Sequence, residues 1–383
     1  MNKPRRLVIV SAVTHFEFDG RLCAYGPYAR EIDIWADLFP EVVIAAPLRR
    51  EPPPGDSIPF TRSNISVAPQ WETGGDSLRA KVLQFLALPA HFWRLSRALS
   101  RADAIQVRCP GNLGLLGCLL APYFRKPLVA KYANQWKDFP GEPRTYRWQK
   151  HLLRSRWWRG PVLVYGNWPN QPSHIVPFFT SIVNEAQMAK ARAAAPRVWS
   201  LRPLEVLFVG RLSPDKNVDV ILQSMTRLGR NNECLRLTIV GDGPVRGELE
   251  SLAAALGLAD RVVFQGAVSH AQVLDFYGRA HVLVLASQSE GWPKAIAEAM
   301  AFGLVCIGSN RGLVPQMLAD GRGLLVEPRD PDALAEKLRC IMNDPAEAAK
   351  ISEAAATWSR KFTLEGLRSA LSHLLQERWQ PIV

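Results

Sequence analysis

Short apolar runs rich in β-branched residues alternate with helical stretches along the whole chain. In the first half the runs are Leu7–Val13, Val42–Ala46, Ile65–Ala68, Ala104–Val107, Leu128–Ala133 and Val162–Tyr165. The pattern restarts at Glu205–Val209 and continues through Leu235–Val240, Val262–Gln265, Val282–Ala286, Val305–Gly308 and Gly323–Val326. Strands separated by helices form parallel sheets covered on both faces, so the expected fold is α/β, with two doubly wound domains. The Ala/Arg/Pro-rich passage Ala189–Pro203 reads as the linker, giving domains over residues 1–195 and 196–360. In residues 361–383, Leu364, Leu367, Ala370, Leu371, Leu374 and Leu375 form one stripe. This predicts an amphipathic terminal helix packed on one domain or the other, with a return to the N-terminal domain as one option.

At 383 residues, with 48% apolar and 21% charged positions, the chain is too long for one ordinary core and too apolar for disorder. Its six cysteines contain no Cys-x-x-Cys pair, which disfavours structural zinc and a disulfide scaffold and suits a reducing compartment. Leu7–Val13 follows a basic start but lacks a small-residue cleavage site, and Leu113–Phe124 falls short of the roughly 20 residues that span a bilayer. The expected location is therefore cytoplasmic. The net charge of +12 is unevenly placed: residues 1–200 carry 27 Lys and Arg against 14 Asp and Glu, and nine of the twelve tryptophans. The two halves present different surfaces to different partners.

Ligands of open parallel sheets bind at the carboxyl ends of the strands. Three strand exits in the second half carry chemistry. Gly210-Arg211-Leu212-Ser213-Pro214-Asp215-Lys216-Asn217 sets two cations before a helix, which would hold a diphosphate or simply line an exposed loop. Val240-Gly241-Asp242-Gly243-Pro244 has its next glycine at Gly247, one residue off the dinucleotide fingerprint, and no Gly-Lys-Ser/Thr occurs anywhere. Ser289-Glu290-Gly291-Trp292-Pro293-Lys294 leads into a helix that Pro293 opens and Gly303 closes. Glu290 then falls in the loop and Glu298 about 7–8 Å along the helix axis.

Together with Phe264-Gln265-Gly266-Ala267-Val268, these motifs resemble, in order and spacing across Leu204–Asp344, the donor domain of retaining family-four glycosyltransferases (glycosyl transferases group one) of the GT-B fold. The resemblance implies two Rossmann-like domains facing a central cleft. It also implies that Arg211 and Lys216 bind the diphosphate of a UDP- or GDP-linked sugar, that Glu290 contacts the sugar hydroxyls, and that Glu298 holds the ribose. The backbone of Gly291, Trp292, Pro293 and Lys294 would lie beside sugar and phosphate, with Gly241 and Val268 near the base and Gly210 also in the donor site. Glu290, Arg211 and Lys216 are the expected catalytic residues, acting by stabilisation, since relatives retain configuration by front-face attack without a protein nucleophile. No cofactor or metal is expected; the one Asp-x-Asp, Asp330-Pro331-Asp332, reads as a helix cap.

The first half is less explicit. Thr14-His15-Phe16-Glu17-Phe18-Asp19-Gly20-Arg21 stands where relatives have a glycine-rich loop, so His15 and Asp19 would orient the acceptor, or His15 is simply packed. Arg108 and Lys131 each end a strand and either face the ligand or form ordinary ion pairs. Arg79–Arg101 and Arg144–Arg159 mix cations with aromatic residues, a combination suited to an anionic membrane surface or to solvated helices with core tryptophans; no nucleic-acid recognition motif accompanies it. The expected partners are a nucleotide sugar, a glycan or lipid-linked acceptor and the inner face of the cell membrane. The alternatives are a nucleotide-sugar epimerase, a phosphorylase-type enzyme, and a non-catalytic basic module that binds membrane or nucleic acid.

Overall fold

The computed structural model describes residues 5–72, 78–139, 141–200, 203–228 and 235–379, with side chains for all of these except 78–87. Two compact units emerge: one runs through Ser181 and resumes at Leu364, and the other spans Ile182–Thr363.

The first unit contains β1 (Arg6–Val10), β2 (His15–Phe18), β3 (Arg21–Tyr25), α1 (Gly26–Leu38), β4 (Glu41–Arg49), β5 (Ser57–Pro59) and β6 (Ile65–Gln70). These are followed by α2 (Leu78–Ser100), β7 (Ala104–Cys109), α3 (Asn112–Leu120), β8 (Leu128–Tyr132), α4 (Arg144–Arg154), β9 (Val162–Tyr165) and β10 (Ile175–Phe178). Strand order is β10-β9-β8-β7-β1-β4, with β6 also paired to β4, and all of these pairs are parallel. Strand alternation sends Val8, Val10, Ile105 and Val107 into one core layer and Leu7, Ile9, Ala104 and Val129 into the other.

The passage expected as a loop around His15 and Asp19 is a β-hairpin. β2 and β3 pair antiparallel with Phe18 opposite Arg21, and Asp19 and Gly20 both take positive φ, at 49° and 68°. Asp-Gly is the dipeptide that tolerates this two-residue turn, whose twist matches that of the strands.

The second unit opens with α5 (Glu185–Ala194), then β11 (Leu204–Val209), α6 (Val218–Thr226), β12 (Leu235–Val240), α7 (Arg246–Ala255), β13 (Val262–Gly266) and α8 (His270–Arg279). β14 (Val282–Leu285), α9 (Lys294–Ala301), β15 (Val305–Ser309), α10 (Val314–Leu318), β16 (Leu324–Val326), α11 (Pro331–Asn343) and α12 (Pro345–Ser359) complete it. Its parallel sheet has the order β13-β12-β11-β14-β15-β16, so the direction of chain progression reverses between β11 and β14. Asp330 caps α11, its carboxylate accepting from Ala333 N at 2.8 Å.

The expected boundary at residue 195 is corrected to Ser181/Ile182, and Ala189–Pro203 is not a free linker. Asn184 and Gln187 form a reciprocal capping box that starts α5, whose Met188 and Ala191 are buried. Beyond it, the guanidinium of Arg197 donates to the carbonyls of Tyr277, Gly278 and Phe302 at 2.7, 3.1 and 2.8 Å, which anchors the segment to the ends of α8 and α9. At the far side of the second unit Ile182 N donates to Phe362 O, and α13 (Leu364–Arg378) then returns to the first unit. Leu367, Leu371 and Leu374 enter its second core layer, and Trp379 Nε1 donates to Leu128 O at 3.2 Å.

Candidate active site

The switch point between β11 and β14 places the exits of both strands side by side, where a parallel sheet leaves a crevice for ligand. Gly210 directly follows β11, and Pro214–Lys216 form a short 3-10 turn before α6. Asn217 closes that turn in the left-handed conformation, φ 49°, which asparagine tolerates better than most residues. Its amide donates to Ala286 O at the end of β14 at 2.7 Å, and Gln288 N donates to Asp215 O at 2.8 Å. The two loops are thus fastened to each other across the switch.

Fastening them brings Lys216 Nζ to 2.7 Å from Glu290 Oε1, with side-chain exposures of 20% and 13%. Asp215 lies 3.7 Å from the same ammonium. Arg211, five residues earlier, is exposed and has no ion-pair partner among the described residues. Two of the three expected catalytic residues therefore touch, and the third stands on the same loop with its charge available.

The glycines beside the site have a steric reason. A Cβ on Gly241, which sits at φ 138°, would lie 1.9 Å from Gly210 O, and one on Gly243 would lie 2.2 Å from Leu212 O. Only glycine lets the loop after β12 lie against the loop after β11, where Leu212 N donates to Asp242 O at 2.9 Å. Gly241 N donates to Gly266 O at 2.9 Å, which ties in the loop carrying half-buried Val268.

On the other side, Pro293 is the N-cap of α9 and Lys294 its first residue. Gly291 is half-buried beside Glu290. The ring of Trp292 packs 5.0 Å from Phe362 and 6.4 Å from Trp358, so its side chain wedges the loop against α12. Glu298, on the fifth position of α9, is 6% exposed. His270 Nε2 lies 3.0 Å from its Oε1, and the Tyr277 hydroxyl donates to its Oε2 at 3.1 Å. Burial and the neighbouring carboxylate both push the Tyr277 phenol well above its ordinary pKa, so it stays a donor.

Asn217, His270 and Tyr277 were not among the residues singled out from sequence. The signal for His270 was present: Ser269 and Gln272 form a capping box, which starts α8 at His270 and turns its first residues toward the strand ends.

Residues 192–358 match the family described as glycosyl transferases group 1. The second unit belongs to the glycosyl transferases group 1 family. A D-inositol 3-phosphate glycosyltransferase of Streptomyces avermitilis is 36% identical over 192 residues, 48% of this chain and 40% of that protein. The match thus spans less than half the length of that curated relative. Sucrose-phosphate synthase from Thermosynechococcus elongatus superposes with a TM-score of 0.70 at 19% identity, covering 97% of this chain and 98% of that one. Anabaena HepE, solved in complex with UDP, gives 0.68 at 15%, covering 97% and 100%. Both units therefore have the GT-B fold.

The acceptor-side expectations fare differently. His15 is fully buried, stacked 5.8 Å from Phe60 and set edge-on 5.4 Å from Tyr28, with Nδ1 2.9 Å from Val13 O. Burial lowers its pKa to about 4, against the pull of backbone acceptors, so the ring is neutral. It is a core residue and cannot touch an acceptor. Asp19 is exposed at the hairpin tip, where its role is the turn. Arg108 and Lys131 both pair with Glu31, at 3.0 and 2.9 Å.

Proposed function

We propose that this protein is a retaining glycosyltransferase that moves a sugar from a UDP- or GDP-linked donor, held by the second unit, to a glycan or lipid-linked acceptor held by the first. The observation that carries the reading is the contact of Lys216 with Glu290 across the switch point, with Arg211 on the same loop. Departure of a nucleoside diphosphate leaves negative charge on the phosphates and an oxocarbenium-like sugar. Arg211 and Lys216 would neutralise the first, and Glu290, held in place by Lys216, would accept hydrogen bonds from sugar hydroxyls beside the second. Glu298, oriented by His270 and Tyr277, would take the ribose hydroxyls through the lone pairs left over. The acceptor hydroxyl would attack the anomeric carbon from the face the phosphate leaves and pass its proton to the departing phosphate oxygen. This scheme uses cations of the chain itself and needs no metal.

A place at the inner face of the membrane is supported by apolar side chains left in solvent. On α2, Phe92 and Trp93 are 52% and 61% exposed; Tyr123 and Trp148 are each 71% exposed. Arg97 lies 5.6 Å from the Trp93 ring, and aromatic residues with flanking cations favour an anionic headgroup layer. The side chains of Arg79 and Lys81 lie outside the described residues. No helix among the described residues is long and apolar enough to cross a membrane. Calorimetry against a panel of nucleotides and nucleotide sugars tests the donor assignment. Tight binding of one nucleoside diphosphate by the wild type, weakened in Lys216→Ala, is expected. No binding to any member of the panel overturns the proposal.

A further inference from the structure

The first unit has a switch point of its own, between β1 and β7, where strand order reverses. Past it, Arg108 on β7 and Lys131 on β8 stand directly opposite each other in register. Glu31, in the second turn of α1, meets both through Oε1. The side chains of Arg108, Lys131 and Glu31 are only 16%, 2% and 3% exposed. The Tyr28 ring lies 5.1 Å from the guanidinium and the Tyr165 ring 5.6 Å from the ammonium. One carboxylate against two cations leaves an excess positive charge in a largely dry place. An uncompensated buried charge costs several kcal/mol, and arginine does not discharge by losing its proton.

A second observation is independent of charge. Gln106 lies on the same face of β7, two residues and about 7 Å before Arg108. It is fully buried, and neither its Oε1 nor its Nε2 has a hydrogen-bond partner among the described residues. Trp35 Nε1, one turn beyond Glu31 on α1, is buried and unpartnered in the same way. Buried amides are almost always paired in folded proteins, so orphaned polar atoms next to an excess cation mark a place for a polar ligand with negative charge.

We propose that the first unit binds here the oxyanion of a sugar-like acceptor, a carboxylate or a phosphate monoester. Arg108 and Lys131 hold the oxyanion, and Gln106 takes hydroxyls of the same molecule. The proposal rests on the reading of the first unit as the acceptor side, and it names the class of acceptor: an acidic sugar rather than a neutral one. A planar guanidinium grips either oxyanion through two parallel N–H donors, and the ammonium adds a point charge.

The experiment uses the full chain carrying Lys216→Ala, which weakens the donor-side anion site, at constant ionic strength. Thermal unfolding is followed with glucuronate, glucose 6-phosphate and glucose, each at about 10 mM, where binding to the folded state raises the midpoint by mass action. A rise of several degrees with glucuronate or with glucose 6-phosphate, and none with glucose, is expected; whichever anion acts identifies carboxylate or phosphate. Arg108→Gln, added to this background, removes the excess charge and leaves Lys131 paired with Glu31, so it should fold and lose the response, with about tenfold or weaker binding by calorimetry. Gln106→Leu, which fills the place with an apolar side chain, should weaken the response as well. Absence of any rise with either anion overturns the proposal, as does a response kept in both variants. Nucleotide binding by the wild type is measured separately, so failure of the donor assignment is read apart from failure at this site.

Discussion

The two switch points place cations in the same topological position and treat them in opposite ways. In the second unit, Arg211 and Lys216 sit on a loop beyond the strand, one exposed and the other in contact with a carboxylate from the neighbouring loop. In the first unit, Arg108 and Lys131 sit on the strands themselves, under α1, and share one buried carboxylate. Loop cations are cheap to keep charged and easily aimed at a ligand. Strand cations are expensive to bury, and Glu31 offsets part of that cost by meeting both. The same two residue types thus stand in solvent-reached loops on one side and in a largely dry, ion-paired cluster on the other.

The sharpest way to break this contrast is to remove the shared carboxylate. Glu31→Gln leaves two buried cations unpaired, and urea denaturation should show a loss of about 3–5 kcal/mol. A loss below about 1 kcal/mol would mean that water reaches the cluster and that the two sites do not differ. Lys216→Ala should behave in the opposite sense: turnover falls about 10²–10³-fold, the scale of one lost transition-state contact, while the denaturation midpoint moves less than in Glu31→Gln.

The histidines extend the comparison. His15 is neutral when folded, with a pKa of about 4, whereas the unfolded chain takes up its proton near pH 6.5. Its contribution is complete above pH 6.5, falls as pH drops toward 4, and levels off below. At most about 3 kcal/mol of stability is lost across that window. Denaturation curves from pH 7 to pH 4 should show the loss, and His15→Gln should flatten it. His270 meets Glu298 and is partly exposed, so its removal should be felt in binding: in His270→Ala the donor KM should rise about three- to tenfold with kcat little changed, as for one lost hydrogen bond. A fall in kcat with unchanged KM would move His270 from donor binding to the chemical step.

What could be read from sequence divides along the same line. The donor-side loops are local: Gly210 to Asn217 and Glu290 to Glu298 each carry their chemistry within nine residues, so order and spacing exposed them. Asp19-Gly20 is an equally local signal that specifies a hairpin turn, where position after the first strand alone predicts a loop. Glu31 offered nothing local. It lies 77 residues from Arg108 and looks like any helical glutamate until the sheet brings the strands beneath it. Asn217 and Ala286, 69 residues apart, are joined for the same reason. The leucine stripe of α13 announced a helix with one buried face, but a stripe does not specify which core receives it. The linker expectation failed because alanine, arginine and proline are common in exposed segments. Arg197 is instead held by three carbonyls, and burial lowers its pKa to about 10.

The return of α13 has a bearing on biosynthesis. Leu367, Leu371 and Leu374 belong to the same apolar layer as Leu7, Ile9 and Trp35, so the unit translated first stays open along one side until the ribosome has passed those leucines. The unit translated second has no such debt to later sequence: its contacts are made within Ile182–Thr363. The second core layer of the first unit therefore closes only after the whole second unit has been synthesised, and until then its uncovered apolar side is a surface for a chaperone.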